Sequence, residues 1–114
     1  MRLAAIQDLL QCTVLTGADG LNLEVETAVA SDGMSAVLAS PHPRALLITG
    51  LTNIQSVKTA HVADIAAILY VRGDRPNEKT IELALQKRIV LLGTPLGMFD
   101  ACGILHAHGL RGVV

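Results

Sequence analysis

The chain has 114 residues, a net charge of −1, and side chains that are 51% hydrophobic but only 2% aromatic. This length predicts one domain, residues 1–114, that buries a core without disulfides or metal. With no basic excess, one Phe, one Tyr and no Trp, nucleic-acid binding is excluded. No apolar run reaches the roughly 18 residues of a membrane span. The N-terminus is interrupted by Gln7 and Asp8, which indicates a helix rather than an export signal, so we expect a cytoplasmic protein with reduced Cys12 and Cys102.

The composition favours parallel strands covered by helices, because the core must be built from Ala, Val, Leu and Ile. The mean hydropathy of +0.49 is high for so small a chain. Small domains have much surface for their volume, so part of this apolar area is expected to stay exposed on a monomer. We interpret that surplus as a surface for self-association.

The first half of the chain predicts a helix, two strands and a short second helix. Apolar residues at helical spacing over 2–10 predict the first helix. Strand-like runs at 12–15 and 25–30 flank a turn-rich stretch, GADGLN. The stretch SDGMSAVLAS predicts a short helix with Ser31 or Asp32 as its N-cap, and the prolines of SPHP end it.

The second half alternates strands and helices three times. The strands are ALLIT, AAILYV and IVLLG, and the helices are NIQSVKTAHVAD, PNEKTIELALQKR and LGMFDACGILHAHG. Thr52 or Asn53 caps the first of these helices, Pro76 lies near the first turn of the second, and Gly109 closes the third. This order predicts right-handed βαβ units, and hence a three-layer-like α/β fold with a mainly parallel sheet.

Three loops are predicted to meet at one edge of that sheet, because the C-terminal ends of parallel strands lie together. They are TGLTN (49–53), RGDRPN (72–77) and LGTPLG (92–97). Each has a glycine at its strand end and leads into a helix whose first N–H groups lack intrahelical partners. A small anion is the ligand that such an edge suits, and the candidate residues are Gly50, Thr52, Asn53, Arg72, Gly73, Arg75 and Thr94. The alternative is that these residues only form turns and caps.

The sequence offers no set of catalytic residues that we can assemble. No Gly-x-Ser-x-Gly elbow is present, no nucleophile and base can be paired, and no cofactor or metal is predicted. Cys102 and His106 share a helix face and would form half of a zinc site without a second half. We therefore favour a packed cysteine and a surface histidine, and His42, between two prolines, has no obvious partner.

Three stretches of the second half resemble the DRTGG domain family: ALLITGLTNIQSV, AAILYVRGDRPNEKTIELA and IVLLGTPLGMFDACG. The first half is similar as well, in its glycine turn, its strand and an Asp-x-Met-Ser helix start. Leu51 and Thr52 stand where the family has Asp and Arg, and Val71 and Arg72 replace Thr and the first Gly. The matching residues are Gly50, Ile54, Gln55, Gly73, Pro76, Thr94, Pro95, Phe99, Asp32, Met34 and Ser35.

The resemblance implies a non-catalytic regulatory or scaffolding module that pairs subunits or acts on a partner enzyme. It adds Asp32 and Gln55 to the candidate ligand-binding residues, and it suggests that Arg72 or Arg75 replaces the family's missing arginine. We expect a homodimer. Two alternatives stay open: a sensor of nucleotide or phosphate-type molecules in which the ligand site matters more than the dimer, and a small enzyme that uses Asp32 with a histidine.

The last predicted helix carries small residues at Gly97, Ala101, Gly103 and Ala107. Small side chains allow another backbone to approach closely. We expect them to pack on the sheet, with a dimer contact as the alternative.

Overall fold

Helices and strands alternate along most of the chain in the computed structural model, which describes residues 1–113. One 3-10 turn, at Ala18–Gly20, lies between the first two strands. The other elements, in chain order, are α1 (Leu3–Leu10), β1 (Thr13–Thr16), β2 (Thr27–Ala30), α2 (Met34–Leu38), β3 (Leu46–Thr49), α3 (Ile54–Val62), β4 (Ala67–Tyr70), α4 (Glu78–Lys87), β5 (Val90–Gly93), α5 (Met98–Ala107) and β6 (Arg111–Gly112).

The strands form one sheet in the order β1-β5-β4-β3-β2-β6. Neighbours from β5 through β6 are parallel, and only β1 is antiparallel, pairing with β5. The register of β1 against β5 shifts between Val14 and Thr16, which is the mark of a bulge. The predicted α/β fold with a mainly parallel sheet is therefore confirmed.

Two apolar cores lie on the two faces of the sheet, since strand side chains alternate in direction. One core joins α1 and α5 to Leu46, Leu69 and Leu92. The other joins α2, α3 and α4 to Leu47 and Ile68. Because β3 and β4 are covered on both faces, every residue of these two strands is buried. No helix within residues 1–113 has the length and apolar character needed to cross a membrane.

The predicted helix caps hold in part. Asn53 caps α3 by accepting a hydrogen bond from the Gln55 N–H at 3.1 Å, so the Thr52 alternative is wrong. The N-cap predicted for α2, Ser31 or Asp32, is also wrong, because the N-cap is Gly33 and no side chain caps the helix. The Ser31 hydroxyl accepts only from the Gly33 N–H, before the helix begins. Asp32 is drawn instead toward the end of β3, as described below.

The start of α4 and the end of α5 were also predicted from single residues. The N-cap of α4 is Asn77, whose side chain accepts from the Thr80 N–H at 3.0 Å. Pro76 therefore lies directly before the cap, near the first turn as predicted but outside the helix. At the end of α5, Gly109 has a φ of 102°, a left-handed conformation that favours glycine, and it follows the C-cap His108. The predicted closure of that helix at Gly109 is confirmed.

Candidate functional site

The first of the three loops is organised by Asp32, which follows the neighbouring strand β2. The Asp32 Oδ1 atom accepts hydrogen bonds from the Gly50 N–H at 2.7 Å and from the Thr49 hydroxyl at 3.0 Å. The Thr49 hydroxyl in turn accepts from the Leu51 N–H at 3.1 Å. The carboxylate thus ties the ends of β2 and β3 together and occupies backbone donors that an anion would otherwise use.

Arg72 lies over this first loop. Its backbone has a φ of 63°, and its guanidinium reaches Gly50, where a Cβ would lie 2.8 Å from Arg72 Cζ. The same guanidinium approaches the Asp74 carboxylate at 3.5 Å. Glycine at position 50 is therefore required if the arginine is to keep this position. The structure brings together Asp32, Thr49, Gly50 and Arg72.

The second and third loops are joined by their backbones. The Arg72 N–H donates to Leu96 O at 2.7 Å, and the Gly73 N–H donates to Thr94 O at 2.9 Å. The ladder between β4 and β5 thus continues beyond both strands. The N–H groups of Arg72 and Gly73, the first two residues of the RGDRPN loop, are therefore engaged in this ladder.

Thr94, a predicted ligand-binding residue, lies in the interior with 1% of its surface exposed. Its hydroxyl donates to Leu10 O at 2.8 Å and accepts from the Leu96 N–H at 3.2 Å. The Leu10 carbonyl belongs to the last turn of α1, where no intrahelical donor remains. Thr94 therefore joins α1 to the third loop, which is a structural role.

Arg75 lies on the other side of the edge from Arg72. It lines a cavity of about 260 Å³ with Gln11, Thr13, Asp74 and the third-loop residues Gly93 to Pro95. Within residues 1–113, no carboxylate comes within 4.0 Å of the Arg75 guanidinium. The sequence placed the two arginines in one site, whereas the structure directs Arg72 toward β3 and Arg75 toward β1.

The remaining candidates are at the start of α3. Asn53 serves as the helix cap, Thr52 is half-buried just before it, and Gln55 is exposed in the first turn. Below them the Ser56 hydroxyl and the Tyr70 hydroxyl form a buried hydrogen bond of 2.7 Å. Burial raises the pKa of Tyr70, and the Ser56 hydrogen bond opposes that change. This pair fixes α3 on β4 and so fixes the spacing of the first two loops.

Neither cysteine is in a disulfide, and both are half-buried. Burial raises the pKa of Cys12 to about 11 and raises the pKa of Cys102. These protonated thiols are poor nucleophiles, because the thiolate is the reactive form. Around Cys102 and His106, residues 1–113 provide no cluster of three potential ligands that could hold a metal ion.

We predict slow modification of Cys12 by a disulfide reagent such as DTNB at pH 8 in Cys102→Ser protein. Its rate should be about tenfold or more below that of the unfolded chain, because fewer thiolates form. The pKa of Cys12 in the folded protein lies above the usual 9.0. The contribution of this thiol to the free energy of unfolding is therefore present below pH 9 and is lost as the pH rises toward 11. Equal rates in folded and unfolded protein would contradict the prediction.

His42 is buried rather than free of partners. The Nε2 atom donates to Val37 O at 2.8 Å, at the end of α2. The backbone N–H of His42 donates to Ala63 O at 3.2 Å. His42 therefore connects the ends of α2 and α3 far from the three loops, and these contacts could not be seen from its position between two prolines.

An apolar groove beside α5 was not expected from the sequence. It has a volume of about 540 Å³, and its floor is formed by small side chains of β2 and β6, where Ala28, Ala30 and Gly112 leave space. Its wall is the side of α5 that carries Phe99, Cys102 and His106. The groove exists because α1 and α5 alone cover this face, whereas three helices cover the other. The feature of the sequence that indicated an exposed apolar surface of this kind was its surplus of apolar residues.

The small residues of α5 lie in two different environments, the buried side that packs on the sheet and the exposed side. Ala101 is fully buried, as predicted for packing on the sheet, but Gly103 and Ala107 are exposed. A Cβ on Gly103 would meet nothing within 4 Å. The expectation that Gly103 permits close packing on the sheet is therefore wrong. Phe99, at the start of the same helix, is 91% exposed.

Comparison with known proteins shows a likeness of fold. No protein-family model matches the chain, and no curated protein sequence matches it. A crystal structure of the CBS and DRTGG domains from the regulatory region of Clostridium perfringens pyrophosphatase, complexed with the activator diadenosine tetraphosphate, is similar, with a TM-score of 0.74 and 17% identity. The match covers 91% of this chain and 45% of that one, so the chain spans less than half of its neighbour.

Proposed function

We propose that this chain is a non-catalytic regulatory or scaffolding domain of the DRTGG type. It forms a homodimer, senses a small anionic ligand at the C-terminal edge of its sheet, and acts on a partner enzyme. The similarity to a pyrophosphatase regulatory region supports the regulatory role. That region was crystallised with a dinucleotide activator, which supports a nucleotide or phosphate-type ligand here.

The observation that carries the ligand proposal is the supply of positive charge at an edge whose backbone donors are largely engaged. Gly50, Arg72 and Gly73 all donate their N–H groups within the protein. Arg72 and Arg75 both belong to the RGDRPN loop, and their exposed side chains extend to opposite sides of it. Guanidinium groups bind phosphate through paired hydrogen bonds. An elongated ligand with several phosphates suits two arginines that face different sides.

A thermal-shift experiment tests this proposal. The probes are diadenosine tetraphosphate, ATP, acetyl phosphate, phosphate and sulfate, each added to wild type, Arg72→Ala and Arg75→Ala. A probe at 100 times its dissociation constant adds about 2.7 kcal/mol, which raises Tm by several degrees in a domain of this size. We expect the shift to shrink in both arginine variants.

The matched control is Lys87→Ala. Lys87 is exposed in the last turn of α4, at the opposite end of that helix from the loop. This variant removes one positive charge at a position away from the three loops, so the Tm shift that each probe causes should equal that of wild type. No shift with any probe would reject the sensor role. A shift that both arginine variants retain would place the ligand at another site.

A further inference from the structure

We propose that two copies of this chain pair through the outer face of α5, with the two helices crossing antiparallel at Gly103. The inference deepens the proposed function, because it rests on the homodimer included there and names its surface. Phe99 of each copy enters the α5 groove of the other. Four properties of the helix and its groove support this arrangement.

The first is that α5 presents a projecting ring beside an empty groove. Phe99 is 91% exposed, and the groove has space for about 540 Å³. Exposed aromatic rings are uncommon on monomers and are enriched in the cores of interfaces. A surface that carries both a projection and a matching recess can pair with itself, as a twofold dimer requires.

The second is the unexplained glycine. A glycine within a helix costs about 1 kcal/mol relative to alanine, yet nothing lies within 4 Å of a Cβ built on Gly103. Packing inside one copy therefore gives no reason for it. Closely crossing helices do, because a residue without a side chain lets the two backbones approach. The buried Ala101 and Leu105 lie on the opposite side of α5, so Gly103 points away from the core.

The third is the symmetry of the sequence about that glycine. In an antiparallel pair that crosses at 103, position 99 lies opposite position 107, and position 100 lies level with position 106. Phe99 thus meets the small Ala107 of the second copy. It also reaches the end of the groove that His106, Ala107 and Leu110 line. The large and small side chains therefore match in both copies at once.

The fourth is charge. Asp100 is exposed in the first turn of α5, and His106 is exposed in the last. The antiparallel crossing places each Asp100 carboxylate level with the His106 imidazole of the second copy, where it can accept a hydrogen bond. Antiparallel helices also bring opposite ends of their dipoles together. A parallel pair would place like groups side by side.

The size of a dimer interface sets the extent of surface that must be covered. A stable dimer buries about 800 Å² on each partner, which is roughly one eighth of the 6048 Å² surface of this chain. The outer face of α5, the groove floor and the segment around Arg111 lie together on one side of the molecule. Most of the residues that line the groove are apolar, and Arg111 and His106 lie among them.

Sedimentation equilibrium over a micromolar concentration series tests the pairing. We expect wild type to be a dimer and Phe99→Asp to raise the dissociation constant by about 30-fold or more. The control Val62→Asp changes a residue that is 73% exposed on α3, on the other face of the sheet, and should leave the dimer intact. Asp100→Lys should weaken pairing about tenfold, and Asp100→Lys combined with His106→Glu should restore it.

Cross-linking locates the twofold axis independently. In a Cys12→Ser, Cys102→Ser background, Gly103→Cys should form a disulfide-linked dimer on mild oxidation, since helices in close contact bring the two Cα atoms within about 7 Å. Val62→Cys in the same background should stay monomeric on a non-reducing gel. A dimer that survives Phe99→Asp, with no link at 103, would overturn this surface while leaving the homodimer standing. A wild type that is monomeric throughout would overturn both, and the ligand experiment would still test the sensor role.

Discussion

Thr94→Val is expected to lower the free energy of unfolding by about 2–4 kcal/mol and Tm by about 10 °C. Valine has nearly the shape of threonine, so the core packing is preserved and only the hydroxyl is lost. Its loss leaves the Leu10 carbonyl without the donor that now lies at 2.8 Å, and the Leu96 N–H without its acceptor at 3.2 Å. The hydrogen bond to the Leu10 carbonyl is buried, and the one from the Leu96 N–H is partly buried. Urea denaturation followed by circular dichroism measures the change.

Two variants control this measurement. Thr94→Ser keeps the hydroxyl and loses one methyl group, so most of the stability should return. Thr13→Val makes the same chemical change at an exposed position of β1 and should be nearly neutral. If Thr94→Val unfolds at the same urea concentration as wild type, the hydroxyl is not committed to α1, and it becomes available again as a ligand group.

Asp32→Ala is expected to cost about 2 kcal/mol of stability, since hydrogen bonds to a charged acceptor contribute more than neutral ones. The variant removes the acceptor for the Gly50 N–H and for the Thr49 hydroxyl. Its effect should concentrate at the ends of β2 and β3, where amide hydrogen exchange at Gly50 should accelerate. Thermal denaturation and exchange together measure these two consequences.

Asp32→Asn separates geometry from charge. Asparagine retains an oxygen at Oδ1, so it should recover more than half of the lost stability. Asp8→Ala, which removes an exposed carboxylate from α1, should leave both stability and exchange at Gly50 unchanged. An asparagine variant as unstable as the alanine variant would contradict this division and would mean that the negative charge itself is required.

The sequence predicted the second half of the fold well, because its signals are local. The strands β3, β4 and β5 read as short apolar runs, and each is followed by residues that start a helix, such as Asn53. The sequence could not show that β1 pairs antiparallel with β5 or that β6 lies at the far edge. Those pairings join residues distant in the chain, as Thr13 and Gly93 do, and nothing in a local pattern specifies them.

The sequence predicted where the three loops lie better than it predicted what their residues do. The three loops do meet at one edge, since a parallel sheet requires it. Their residues are divided between two roles: Asp32, Asn53 and Thr94 make internal hydrogen bonds, whereas the side chains of Arg72 and Arg75 remain exposed to solvent. A type of residue shows which bonds it can make, but only the fold decides whether the partner is another part of the chain.

The edges of the sheet influence how this protein behaves at high concentration. An unpaired strand edge can recruit the edge of another molecule and start fibre growth. Here one edge is β1, which is four residues long and irregular after Val14, and the other is β6, only two residues long. Neither offers a template on which a long intermolecular ladder could grow. We therefore expect the short edges to disfavour growth of fibres through edge-to-edge strand pairing, even in a protein this apolar.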